Sequence, residues 1–248
     1  MSTARSEAVR SPAVTFAARQ RSRDHRFFTG MAAVASLIAF VGFAPSYYLR
    51  SFSAEPPLTT LVHLHGGLAT SWMLLFLAQT SLVSAGRTDL HRRLGLAGAL
   101  IAVLFVGVGY ATAVTAARLG VTPPGGPPPL AFLAVPLGTL LSFAILAGLG
   151  LSLRRHRDIH RRLMLLATIA MLVPAFARFR WFGPGGPAVA IGGTCLLVVA
   201  CLVYDRRAHG RVHPAFLWGG VLLMLSLPAR FALTQSETWL AMARWLTR

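Results

Sequence analysis

Seven runs of apolar residues divide this 248-residue chain, at about 27–49, 61–84, 94–117, 131–153, 163–182, 188–204 and 215–235. Short Arg-rich or Pro/Gly-rich breaks separate them. Crossing the hydrocarbon of a bilayer takes roughly 20 apolar residues, so the runs have the length of membrane spans. The run at 188–204 is the shortest. In lipid no water satisfies open backbone groups, so the spans must be helices. The expected fold is an all-α, polytopic transmembrane helix bundle of about seven spans. Charged residues make up only 12% of the chain, about half the share in soluble domains. The first run is too long for a secretion signal and no clean small-x-small cleavage site follows it, so it reads as a retained span.

The formal net charge of +17 invites a nucleic-acid reading, but its distribution opposes one. All 24 basic residues are Arg, and 17 of them lie in four segments: the tail from Arg5 to Arg26, then 85–93, 154–162 and 205–214. In a seven-span threading those segments share one side. That is the positive-inside pattern. It predicts a multi-pass protein of the inner (plasma) membrane with a cytoplasmic N-terminus, an external C-terminus and no nucleic-acid partner. The basic face is expected to attract anionic headgroups. Residues 1–26 read as a disordered cytoplasmic tail, 27–235 as the transmembrane domain, and 236–248 as an outer interfacial helix carrying Trp239 and Trp245.

The basic segments repeat. "TDLHRRLGLAGAL" at 88–100 opens the third span and "RDIHRRLMLLATI" at 157–169 opens the fifth, while "HGRVHPAFLWG" at 209–219 opens the seventh with a weaker match. Spans two and three, four and five, and six and seven therefore read as three parallel hairpins, with span one added. Asp89 and Asp158 sit where helix N-caps are expected. The arginines after them sit at headgroup level. Cys195 and Cys201 fall about 240° apart on one helix, too far to bridge.

Polar residues inside spans are costly and need an explanation. His65, Trp72 and Gln79 are spaced by seven and fall on one stripe of the second span. His63 points about 200° away from His65. Gly66 and Gly67 open close access to the backbone beside His65. Arg178 with Arg180, and Arg230, are expected about 22 Å along the fifth and seventh spans, in the layer of His63 and His65. No acidic residue within a span neutralises these arginines, and Glu55 is the nearest outer carboxylate before the tail. An outer-half pocket of His63, His65, Trp72, Gln79, Arg178 and Arg230 would suit a small hydrophobic or anionic ligand, such as a quinone, a carboxylate or a lipid phosphate. The competing structural reading has the His and Gln joining helices by hydrogen bonds and the arginines snorkelling to phosphate. Pro174 and Pro228 are expected to kink their helices.

At the basic side, His91, His160 and His213 all begin spans. His156 with His160, and His209 with His213, have the H-x-x-x-H spacing that puts two zinc ligands on one helix face. The surrounding arginines would repel a cation there. Haem is the better candidate, because helix bundles hold it between facing histidines and the arginines could pair with its propionates. His91 and His160 occupy equivalent repeat positions and one depth.

The chain resembles a group of uncharacterised bacterial multi-pass membrane proteins. The resemblance rests on His63-Leu64-His65-Gly66, Trp72, Gln79, His91-Arg92-Arg93-Leu94-Gly95 and His160-Arg161-Arg162-Leu163-Met164. It covers residues 60–180 and implies no activity. More distantly, the chain is similar to four-helix transmembrane cytochromes b, which hold two haems between paired histidines. That likeness implies His91 with His160 as a cytoplasmic haem pair, and His63 or His65 as half of an outer pair that no other outer histidine completes. The sequence favours a binding, transport or accessory subunit with the outer-half pocket. A membrane redox protein binding haem b or quinone is the alternative, and an intramembrane zinc hydrolase is the weaker third.

Overall fold

The computed structural model describes residues 12–52, 56–123, 126–179 and 186–248. Every regular element among them is helical. Seven helical stretches are long and apolar enough to span a membrane, so the chain is a multi-pass helical membrane protein. Helix α1 covers Pro12–Phe43, α2 Thr60–Ser84, α3 Thr88–Arg118, α4 Pro129–Phe132 and α5 Ala134–Ser152. Helix α6 covers Arg157–Ala170, α7 Val173–Phe176, α8 Pro187–His209, α9 Pro214–Leu233 and α10 Glu237–Leu246. The spans are α1, α2, α3, α4–α5, α6–α7, α8 and α9.

The expected hairpins form as α2/α3, α5/α6 and α8/α9, with α1 packed on α2, α6 and α7. Their turns share one end. Thr29 and Ser84 hydroxyls meet at 3.0 Å across α1 and α2, and the His91 and His160 rings meet across the first two hairpins. The described parts of the four Arg-rich segments therefore gather at one end, called here the basic end. Helix α6 is the central span: Leu165, Leu166, Ala167, Thr168, Ile169 and Ala170 are fully buried. The outer helices turn Leu37, Leu74, Leu96, Val103, Leu141, Leu196 and Leu225 outward, as a surface solvated by acyl chains requires.

Glycines set the close approaches. A Cβ on Gly42 would stand 2.6 Å from the Ala175 carbonyl oxygen of α7, whereas a Cβ on Gly67 would meet nothing within 4 Å. Gly66 instead admits the Tyr47 ring, and the Tyr47 hydroxyl donates to the His63 carbonyl at 3.1 Å. Gly66, beside His65, thus makes room for a neighbouring side chain.

Four expectations are corrected. Residues 12–26, expected to be disordered, belong to α1, because Asp24 on that helix is buried against the bundle. Asp89 and Asp158 are not N-caps: they stand in the first turns, behind Arg87 and His156, whose side chains make no cap bond. Carboxylates in the first turn still favour the positive end of the helix dipole. Pro174 opens α7 after α6 has ended at Ala170, so it marks a break rather than a kink, while Pro228 lies inside a continuous α9. The C-terminal segment is helical as expected, but it docks on protein. Trp239 Nε1 donates to the Leu130 carbonyl at 3.0 Å and packs with Ala113, Ala117, Leu133 and Ala134; Trp245 stays exposed.

Candidate functional site

Two features occupy the basic end. The first is an imidazole pair. His91, one turn into α3, and His160, one turn into α6, face each other with ring centres 6.3 Å apart and planes at 77°. His160 donates from Nδ1 to the Gly150 carbonyl of α5 at 2.7 Å, which leaves its Nε2 for another partner. Beside His91, Gln79 Nε2 donates to the His91 carbonyl at 3.2 Å. The Nδ1 of His91 is buried without a hydrogen-bond partner among the described residues. Arg92 and Arg93 follow it, exposed. Two imidazoles that ligate one metal from opposite sides, at about 2.0–2.1 Å each, place their ring centres about 6 Å apart. A ligating histidine commonly donates its second nitrogen to a carbonyl, as His160 does. The His91 and His160 rings stand at a separation of that order.

The second feature is a buried ion network that the sequence reading missed. Arg162 donates from Nε to Asp205 Oδ2 at 3.0 Å and from Nη2 to Oδ1 at 2.7 Å. Both residues are almost wholly buried, at 2% and 0% exposure. The guanidinium also donates to the Asp158 carbonyl at 2.9 Å, and Asp205 accepts the His213 N–H at 3.0 Å. Alongside, Asp24 accepts from Arg161 at 2.8 Å and from the Tyr204 hydroxyl at 2.5 Å. His209 lies between the carboxylates, 3.3 Å from Asp24 and 3.4 Å from Asp205. Helix α1, the end of α8 and the start of α9 are tied to α6 in this way. The available signal was scarcity: the chain has seven acidic residues, and Asp24 and Asp205 each border a long apolar run where a lone charge needs a partner.

This network dissolves the zinc readings. His209 ends α8 and His213 is the N-cap of α9, so a turn separates them and they share no helix face. His213 Nδ1 accepts the Ala215 N–H at 3.1 Å. Burial, and next the Arg162 charge, hold His213 below the ordinary imidazole range. His156 is the N-cap residue of α6, with non-helical backbone, so it does not share a helix face with His160. Among the described residues no group of three or more His, Cys, Asp or Glu could hold a metal ion.

The outer-half residues do not assemble as expected. Arg178 is exposed, donates to the Pro174 carbonyl at 2.8 Å and covers the Phe43 ring at 4.5 Å. His63 is exposed on the opposite face from His65. Arg180 and Glu55 lie outside the described residues. Trp72 is core: its Nε1 donates to Thr168 at 3.2 Å and its ring meets Phe143 edge-on. Gln79 belongs to the basic end with His91. Arg230 is 3% exposed and enclosed by hydroxyls, donating to Thr139 at 3.0 Å, Ser142 at 2.7 Å and Ser226 at 2.9 Å. Each hydroxyl passes its own proton to a helix carbonyl and so presents lone pairs to the cation. Gly138 packs so closely on the Arg230 stem that a Cβ would stand 2.8 Å from Nε. Away from the basic end, the His65 ring stacks on Phe105 at 5.1 Å and its Nδ1 is buried without a partner among the described residues, as are Ser46 Oγ and Arg230 Nε.

The fold and these geometries define a multi-pass helical membrane protein with a histidine pair at its basic end. No family model matches the chain, and neither a curated protein nor a solved structure matches it significantly.

Proposed function

We propose that this chain is an integral membrane redox protein that would hold one b-type haem at its basic end through His91 and His160. The observation that carries this reading is the 6.3 Å approach of the two rings, with His160 oriented by the Gly150 carbonyl. Bound there, the haem would supply one-electron chemistry. The chain's own residues do the rest. Gln79 fixes the first turn of α3 through the His91 carbonyl. The exposed guanidinium groups of Arg92 and Arg93 offer partners for propionates. The positive-inside distribution supports a cytoplasmic basic end, an external C-terminus and a bacterial inner-membrane location. Likeness to transmembrane cytochromes b supports the same pair, with one haem in place of two.

The test is the absorption spectrum of detergent-purified protein. A Soret band is expected, lost in His160→Ala and in His91→Ala. A colourless preparation that is folded by its melting curve, obtained from cells supplied with haem precursor, overturns the proposal.

The second reading is a binding, transport or accessory subunit, favoured by the open Nδ1 of His65 over Phe105. It takes a small hydrophobic ligand that presents one hydrogen-bonding group. Mass spectrometry of the purified protein is expected to find a co-purifying molecule that His65→Phe loses; identical bound species in both forms end this reading.

A further inference from the structure

A cleft of about 1000 Å³ opens at the basic end between α1 and the end of α2. Arg21, Ser22, His25, Arg26 and Thr29 of α1 line its polar part with Ser84 of α2, and Gly30 and Ala33 form its apolar floor. We infer that this cleft is a binding site for the phosphate group of an anionic phospholipid.

The sequence builds the cleft with helical spacing. Ala18, Ser22, Arg26 and Thr29 recur at three to four residues and fall on one face of α1. The opposite face carries Asp24, Phe28, Ala32 and Ala35, all buried in the bundle. The one carboxylate of this stretch is thereby turned away and spent on Arg161 and Tyr204. Among the described residues no carboxylate lines the cleft. Arg26 reaches only the Ser22 hydroxyl, at 3.3 Å, and Arg21 makes no ion pair or hydrogen bond among the described residues. Two guanidinium groups therefore stand ready beside three hydroxyls. Guanidinium forks match phosphate oxygens, and a basic cleft at the membrane surface concentrates anionic headgroups.

The polarity runs the right way for a lipid. Arg21, Ser22, His25 and Arg26 precede the apolar run that begins near residue 27, whereas Gly30 and Ala33 lie within it. A headgroup held by the arginines leaves its acyl chains along Gly30 and Ala33. A Cβ on Gly30 would meet nothing within 4 Å, so the floor is open space. The inference rests on the basic end lying at headgroup depth and is independent of the haem proposal.

The test uses the full chain purified in detergent, with melting midpoint and native mass spectrometry as readouts. Added dioleoyl phosphatidylglycerol is expected to raise the midpoint and to be retained, and dioleoyl phosphatidylcholine to do much less. The double variant Arg21→Ala/Arg26→Ala should weaken phosphatidylglycerol binding about 30-fold, from two surface arginines near a phosphate. Arg154→Ala/Arg155→Ala, with the same charge loss at the same end, should bind as the parent does. Gly30→Leu keeps every charge, fills the floor and should also lose the lipid; it decides the question if the arginine variant fails to fold. Equal response to both lipids, retained binding in Gly30→Leu or in a folded Arg21→Ala/Arg26→Ala, or the same midpoint rise from inorganic phosphate alone overturns the inference.

Discussion

The Arg162–Asp205 pair should behave as a coupled unit, and a double-mutant cycle measures it. Both side chains are almost fully buried and joined by two charge-assisted hydrogen bonds. Asp205→Ala leaves Arg162 with the Asp158 carbonyl, a longer 3.4 Å approach to the Asp158 carboxylate and the Phe216 ring at 5.4 Å. Removing one partner of a buried pair costs about 3–5 kcal/mol, because the other charge stays desolvated. Arg162→Met strands Asp205 in the same way, although the His213 N–H still supports the carboxylate. Its cost belongs at the lower end of that range. If the effects were independent, the double variant would lose roughly 6–8 kcal/mol. Replacing both ions by apolar groups removes both desolvation penalties, leaving about 1 kcal/mol for the lost His213 acceptor. The expected coupling is therefore about 5 kcal/mol or more. Reversible unfolding of detergent-solubilised protein in increasing SDS fraction, read by circular dichroism, gives the four free energies. Additivity within about 1 kcal/mol, or single variants costing less than that, would refute the reasoning.

Other consequences are as direct. Arg230→Met should cost less than Thr139→Val or Ser142→Ala in the same unfolding assay, because its removal frees hydroxyls already bonded to their helix carbonyls, whereas removing a hydroxyl leaves a buried cation short of an acceptor; the reverse order contradicts the hydroxyl-cage account. Gly42→Ala should destabilise by about 1–3 kcal/mol through overpacking against the Ala175 backbone, and Gly67→Ala should stabilise by up to about 1 kcal/mol as a helix-propensity gain; equal melting shifts would show that α1 and α7 do not touch as described. His213 binds protons less readily folded than unfolded, so stability is fully present above the ordinary value of 6.5 and falls as pH drops below it toward the lowered folded value. His213→Asn keeps a capping oxygen and should flatten the midpoint profile as pH falls below 6.5, and an unchanged slope excludes this residue as the source. Trp72→Phe should cost about 1–2 kcal/mol, the price of a buried Thr168 hydroxyl losing a donor, with the melting midpoint as the check.

The seven runs, the gathering of arginines and the twice-repeated His-Arg-Arg-Leu were enough to define the helices, the hairpins and the end at which their turns meet. These follow from local chemistry: an apolar segment in lipid has no alternative to a helix, and a guanidinium has no comfortable place in hydrocarbon. Periodicity also placed His91 and His160 at one depth, and the bundle brings their rings together. Depth along a helix is a property of sequence position; azimuth relative to neighbours is a property of packing. That is why Arg178 and Arg230, matched in depth, part company, one over Phe43 at the surface and the other inside a hydroxyl cage. It is also why Arg161 and Arg162, indistinguishable by motif from Arg92 and Arg93, became ion-network anchors. The second repeat opens the central helix, whose first turn is surrounded by Asp24 and Asp205, whereas the first repeat opens a peripheral one whose arginines face outward. A period in the sequence assigns each residue to a face, but only the packed bundle determines which faces meet.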